Sequence, residues 1–179
     1  MKCNECGKEM KGIKGKPYHY VESGLDNVYL LGVPVYKCTC GETMVEVPNV
    51  EELHKAIAAK ILQKPSLLRG KEIRFIRKQM KLKAVELTEQ LGISEITLSR
   101  WENNAESIGP ANDKLLRLIF LLRYVKDLDV PLMIMRKYVE RATQIATMRQ
   151  LRQRGGRIFI SDKDLQRGAG TEPLLSGVS

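Results

Sequence analysis

A mainly α chain with a small β module at its N-terminus is the fold class that the sequence predicts. Three observations carry this. Two close cysteine pairs stand among the first forty residues, short β-type runs lie between them, and helical periodicity follows from residue 49 to about residue 152.

The first pair is Cys3-Asn4-Glu5-Cys6-Gly7 and the second Cys38-Thr39-Cys40-Gly41. A glycine just past each pair is the knuckle pattern, in which the turning backbone points amides at the sulfurs. Two local pairs supply the four thiolates that tetrahedral Zn²⁺ prefers, so Cys3, Cys6, Cys38 and Cys40 are the candidate ligands of a structural zinc. The one-residue spacing of the second pair is tighter than that of most zinc ribbons. A histidine, His19 or His54, in place of one sulfur is one alternative, and free or redox-active thiols are another. With four protein ligands the metal keeps no open position for water, which argues against catalysis there. Val28–Leu31 and Val33–Tyr36 read as strands about Gly32, and Thr43–Val47 as a third. A sheet this small buries little apolar area, and a metal adds the missing stability. Residues 1–47 are therefore expected to form a zinc-binding β module.

Residues 48–69 read as a linker helix. Asn49 is its cap, with Glu52 three positions on, and Leu53, Ile57 and Ile61 form one stripe before the stop at Pro65. Residues 70–128 carry the next four helices. Glu72–Met80 turns Ile73, Ile76 and Met80 inward, and Ala84–Leu91 ends at Gly92. Ser94–Asn103 starts on a serine cap, with Leu98 and Trp101 on one face and Ile93 closing the turn from inside. After Gly109-Pro110, a helix capped by Asn112 runs to about Lys126 and is apolar nearly all round. Two helices crossed at a glycine turn, the second with one buried and one mixed polar face, form the helix-turn-helix pattern for reading a major groove.

Charge points the same way. The chain of 179 residues carries a net +9, near neutral over residues 1–64 and basic over the remainder. Lysines and arginines that neutralise phosphates release counterions, so a polyanionic partner is expected, with a solvated basic surface as the plain alternative. A hydrophobic share of 43% supports a true core. The start Met1-Lys2-Cys3 has no signal-peptide pattern, and no apolar run approaches a membrane span. A cytoplasmic address and no membrane partner are expected. There, four cysteines serve as metal ligands rather than disulfides. An enzyme is not expected: there is no phosphate-binding glycine loop, no nucleophile–histidine–carboxylate set, and only two histidines.

The combined motifs carry a resemblance. They are Cys-x-x-Cys-Gly at 3–7, Gly-Val-Pro-Val-Tyr-Lys-Cys-Thr-Cys-Gly-Glu at 32–42, Pro-Asn-Val-Glu-Glu-Leu-His at 48–54, Gly-Lys-Glu-Ile-Arg-Phe-Ile-Arg-Lys at 70–78 and Leu-Ser-Arg-Trp-Glu-Asn at 98–103. Residues 1–125 resemble the zinc-finger/helix-turn-helix antitoxin family of the MqsA (YgiT) type, whose second half is a Cro/Xre-like helix-turn-helix domain. The resemblance implies a zinc module that binds a small toxin protein and a five-helix Xre-like domain that binds the operon's own promoter; a homodimer docking two recognition helices in successive major grooves is expected. By position it places Glu95, Ile96, Thr97, Ser99, Arg100 and Asn103 at double-stranded DNA, and the Ser94 cap beside them is a further candidate DNA contact. Chemically, Arg100 suits a guanine or a phosphate, Glu95 a cytosine amine and Ile96 a thymine methyl, while Arg77 and Lys83 suit phosphates. The family's second helix usually opens Ser-Gln. Lys83 and Ala84 stand there, so the serine cap and the glutamine base contact are both missing.

Residues 129–160 are expected to form a C-terminal helical extension. An extra helix runs over about 132–152, breaks at Gly155-Gly156, and is followed by a short strand at Arg157-Ile158-Phe159-Ile160. Residues 161–179 are polar and Gly-rich, the composition of a disordered tail. This extension keeps a second function open, a stand-alone zinc-containing Xre-type regulator with no toxin. The departures at Lys83 and Ala84 keep open a third, a helix-turn-helix fold serving protein interaction.

Overall fold

A computed structural model describes residues 1–126, apart from 14 and 48, and residues 157–161. The expected helix over 132–152 and the tail beyond 161 lie outside the described residues. Two compact units emerge, one of residues 1–57 with the 157–161 segment, the other starting at Ala58.

Among the described residues the first unit holds six short strands: β1 (Lys11–Ile13), β2 (Tyr18–His19), β3 (Val28–Leu30), β4 (Val35–Lys37), β5 (Thr43–Val45) and β6 (Ile158–Ile160). They form two sheets of three, where the sequence suggested one. β4 lies between β1 and β5, antiparallel to both, with Tyr36 opposite Gly12 and Met44. β3 lies between β2 and β6, antiparallel to β2 and parallel to β6. The expected strands either side of Gly32 exist but do not pair. Gly32 takes a left-handed φ of 81°, and the chain from Leu31 to Pro34 carries β4 away from β3 into the other sheet. The strand expected at 157–160 is present, and its partner is β3, with Val28 opposite Ile158, Tyr29 opposite Phe159 and Leu30 opposite Ile160. Val28, Leu30, Ile158 and Ile160 are buried on the inner face of this sheet.

Helix α1 (Val50–Gln63) begins as the sequence suggests, the Asn49 side chain accepting from the Glu52 amide at 3.1 Å. The Glu52 carboxylate pairs with Lys55 at 2.8 Å. In the second unit, α2 (Gly70–Gln79), α3 (Ala84–Leu91), α4 (Glu95–Glu102) and α5 (Pro110–Lys126) follow. α5 starts two residues ahead of the expected cap, with proline in the first turn, where a missing N–H costs nothing. The core of this unit includes Ile73, Ile76, Leu87, Leu98, Trp101, Ile108 and Leu116.

α5, which the sequence shows as apolar nearly all round, also carries a buried charge. Arg117 is fully buried, and it donates from Nε to Asp113 Oδ2 at 2.8 Å. Its other nitrogens donate to the carbonyls of Leu62, Lys64 (3.0 Å) and Ser66 (2.9 Å). Leu62 and Lys64 lie at the end of α1, whose last carbonyls have no helical partner, so the guanidinium serves as a C-terminal cap. Asp113 completes the cluster by accepting the Leu68 amide at 2.7 Å.

Candidate metal centre and candidate nucleic-acid face

The four cysteines converge as their spacing suggests. Each pair sits on a tight turn whose following glycine has a left-handed φ, 71° at Gly7 and 100° at Gly41. Side-chain residues resist that conformation. The Cys3 and Cys40 sulfurs are 3.7 Å apart, those of Cys6 and Cys38 3.4 Å, and all four lie within 4.8 Å of one another. A disulfide needs about 2.05 Å, so none is formed. Metal–sulfur bonds of about 2.3 Å in a tetrahedron put sulfurs about 3.8 Å apart, which this cluster matches. Cys3 and Cys38 are buried beside Met10, with Tyr36 and Met44 packed against them, while Cys6 and Cys40 face outward.

Electrostatics fits the same use. The Cys40 amide, against burial and together with the neighbouring thiols, pulls the Cys38 thiol down to about 6. The Lys8 amide favours a Cys6 thiolate, but hydrogen bonds with Cys38 and Cys40 outweigh it and push that thiol up to about 12. Cys40 is also raised, its Glu42 amide contact outweighed by Cys38 and burial. One sulfur ionises readily and the next resist, because adjacent thiolates repel. A bound cation removes that resistance. Neither histidine joins the cluster. His19 stacks on Tyr29 at 4.8 Å, and His54 Nε2 lies 3.1 Å from the Tyr20 hydroxyl. The Cys3, Cys6, Cys38 and Cys40 group can therefore hold a metal ion.

On α4, Leu98 and Trp101 are buried as expected, whereas Glu95, Ile96, Ser99, Arg100 and Asn103 are exposed. Ile96, Ser99, Arg100 and Asn103 recur at three- and four-residue spacing and share one stripe. Ile96 is 66% exposed. Ser94 caps the helix, its hydroxyl accepting the Thr97 amide at 3.1 Å and meeting the Thr97 hydroxyl at 2.9 Å. Arg100 makes one loose contact, 4.0 Å to Glu106, with both side chains more than half exposed. Lys83 is exposed at the start of α3. Its ammonium cannot accept a hydrogen bond, and the cap is supplied instead by Glu86, whose carboxylate accepts the Lys83 amide at 2.6 Å.

Arg77 differs from expectation. Its Nε and one terminal nitrogen hold the Glu102 carboxylate at 2.7 and 2.9 Å, and the other terminal nitrogen donates to Leu82 O at 3.1 Å. It is an internal tie rather than a group turned to a phosphate. Arg74 adds 3.0 Å to Glu102 and 2.9 Å to Asn103 Oδ1, so Asn103 is steadied from behind. Glu102 was missed in the sequence reading. An acidic residue next to a buried tryptophan, paired with two arginines that lie about one turn apart on α2, shows its role only once α2 and α4 are packed together. Among the described residues no helix is long and apolar enough to cross a membrane.

No protein-family model, curated protein or solved structure matches the chain.

Proposed function

We propose that the protein is a sequence-specific DNA-binding antitoxin and repressor of its own toxin–antitoxin operon. The observation that carries the reading is α4. It has one face buried through Leu98 and Trp101 and braced through Glu102, and an outer stripe of Ile96, Ser99, Arg100 and Asn103 turned to solvent after a Gly92–Ser94 turn from α3. Such a helix suits a major groove, with Arg100 and Ile96 addressing base edges and Lys83 a phosphate. The basic charge of the chain and the antitoxin-like motifs support it. The protein acts as a homodimer on two half-sites about 34 Å apart. The four-cysteine cluster holds a structural Zn²⁺, the metal that four thiolates in a closed tetrahedral set favour, and its unit grips a small toxin.

The test is to purify the tagged protein from its own host at moderate salt and identify what comes with it. A stoichiometric small protein encoded beside the gene, toxic alone and neutralised by this chain, together with retention of the operon promoter, establishes the reading. Promoter retention with no such protein leaves the stand-alone regulator, which the pairing of β6 with β3 favours, since an edge of the metal-binding unit is already taken. Retention of neither sinks both.

A further inference from the structure

We infer that the β3 edge of the first unit is a strand-binding site, occupied in cis by β6, that takes in trans an extended segment of the pattern Arg-aliphatic-aromatic-aliphatic. This does not rest on the DNA-binding reading. β6 has the features of a bound peptide. It is three residues long, and 127 residues separate its first member from Leu30. It joins the sheet through its backbone, the Ile158 amide donating to Asn27 O at 2.7 Å and Ile160 O accepting the Leu31 amide at 2.8 Å. Strand addition to a sheet edge gains affinity from such main-chain bonds and selectivity from alternate side chains.

The alternation here is complete. Ile158 and Ile160 are 8% and 1% exposed beneath the sheet, while Phe159 stands on the outer face at 44%. The Phe159 ring lies 5.7 Å from Tyr29, which stacks on His19 across β2, and the Arg157 guanidinium sits 5.5 Å from the Tyr29 ring centre. Two aliphatic sockets, an aromatic ledge and a ring that attracts a cation define the ligand.

The experiment uses the full chain and a fluorescent peptide with the sequence of residues 156–161. In the Ile158→Asp/Ile160→Asp variant the resident strand cannot seat its side chains, and the peptide binds at least tenfold tighter than to the wild type. The same peptide with aspartate at both isoleucine positions does not bind. Equal affinity for both proteins, or no binding to a variant that still takes up one metal per chain, overturns the inference. Should the variant fail to load metal, the decisive protein is a wild-type chain with a protease site inserted between residues 126 and 157. After cutting, the labelled peptide replaces β6. Retention of the native strand against a hundredfold excess of peptide overturns the inference.

Discussion

Asp113 and Arg117 stand one turn apart on α5, both fully buried, and meet at 2.8 Å while Arg117 closes the end of α1 with its remaining donors. The pair is a joint rather than a decoration. It fixes the connection between α1 and α2 through the Leu68 amide and the Lys64 and Ser66 carbonyls.

Arg117→Met leaves the Asp113 carboxylate buried without its counter-charge and strands several carbonyls. Removing one member of a buried pair is expected to destabilise by about 3–5 kcal/mol. Urea unfolding followed by circular dichroism reads this as a lower midpoint at unchanged slope. A loss below 1 kcal/mol would show that water replaces the guanidinium.

Glu102 makes the second unit sensitive to acid. Burial alone would raise its carboxyl, but the hydrogen bonds and charges of Arg77 and Arg74 hold it below the ordinary value of 4.5. Between its folded and unfolded values the unfolded chain binds more protons. The stabilisation is thus fully present above 4.5 and drains away as the pH falls through the folded value. The urea midpoint should stay flat from neutral pH to about 5 and then drop. In Glu102→Gln the midpoint starts lower, and that part of the acid slope is gone.

At Gly70 an added Cβ would lie 2.4 Å from Trp101 O and 2.6 Å from Glu102 O, both backbone atoms that cannot swing aside. Gly70→Ala is expected to lose about 1–3 kcal/mol by overpacking, although alanine is the better helix former. A thermal melt at or above the wild-type midpoint would show that α2 and α4 separate freely.

Cys38→Ser should abolish stoichiometric metal binding and melt the first unit while leaving α2 to α5 folded. Metal analysis and limited proteolysis check this together, the expected result being cleavage confined to the N-terminal region. Cleavage spread evenly through both units would refute their independence. A chelator should reproduce the effect in the wild type.

On the DNA-binding reading, Arg100→Ala costs about 1–3 kcal/mol and relaxes one base position if the contact is to guanine. Equal weakening on every sequence assigns Arg100 to a phosphate. Binding to the selected site at wild-type strength would argue for a protein-interaction role.

Much of this molecule is legible locally. The α3–α4 turn is written in Gly92, which takes a left-handed φ of 65°, and in Ser94, whose hydroxyl caps α4. The cysteine cluster is legible because thiol pairs followed by glycines have few other uses. What escaped the sequence reading depends on distant partners. Nothing near Val28 or Val35 says that β3 and β4 enter different sheets, and nothing near Ile158 names β3 as its neighbour. Arg117 drew no expectation from the sequence, because its partners, the last carbonyls of α1, bear no side-chain signature. Arg77 looked like a phosphate ligand because the charge that claims it, Glu102, lies on another helix.

The parallel pairing of β6 with β3 also fixes an order of events during synthesis. The sheet of β1, β4 and β5 needs nothing beyond Val45, so it and its cysteines can close while the ribosome is still at work. β3 waits for a strand that emerges roughly 6–25 s later at ordinary elongation rates. Through that interval its edge stands open on every nascent chain, and the newborn protein meets its surroundings with a bare strand that the finished one conceals.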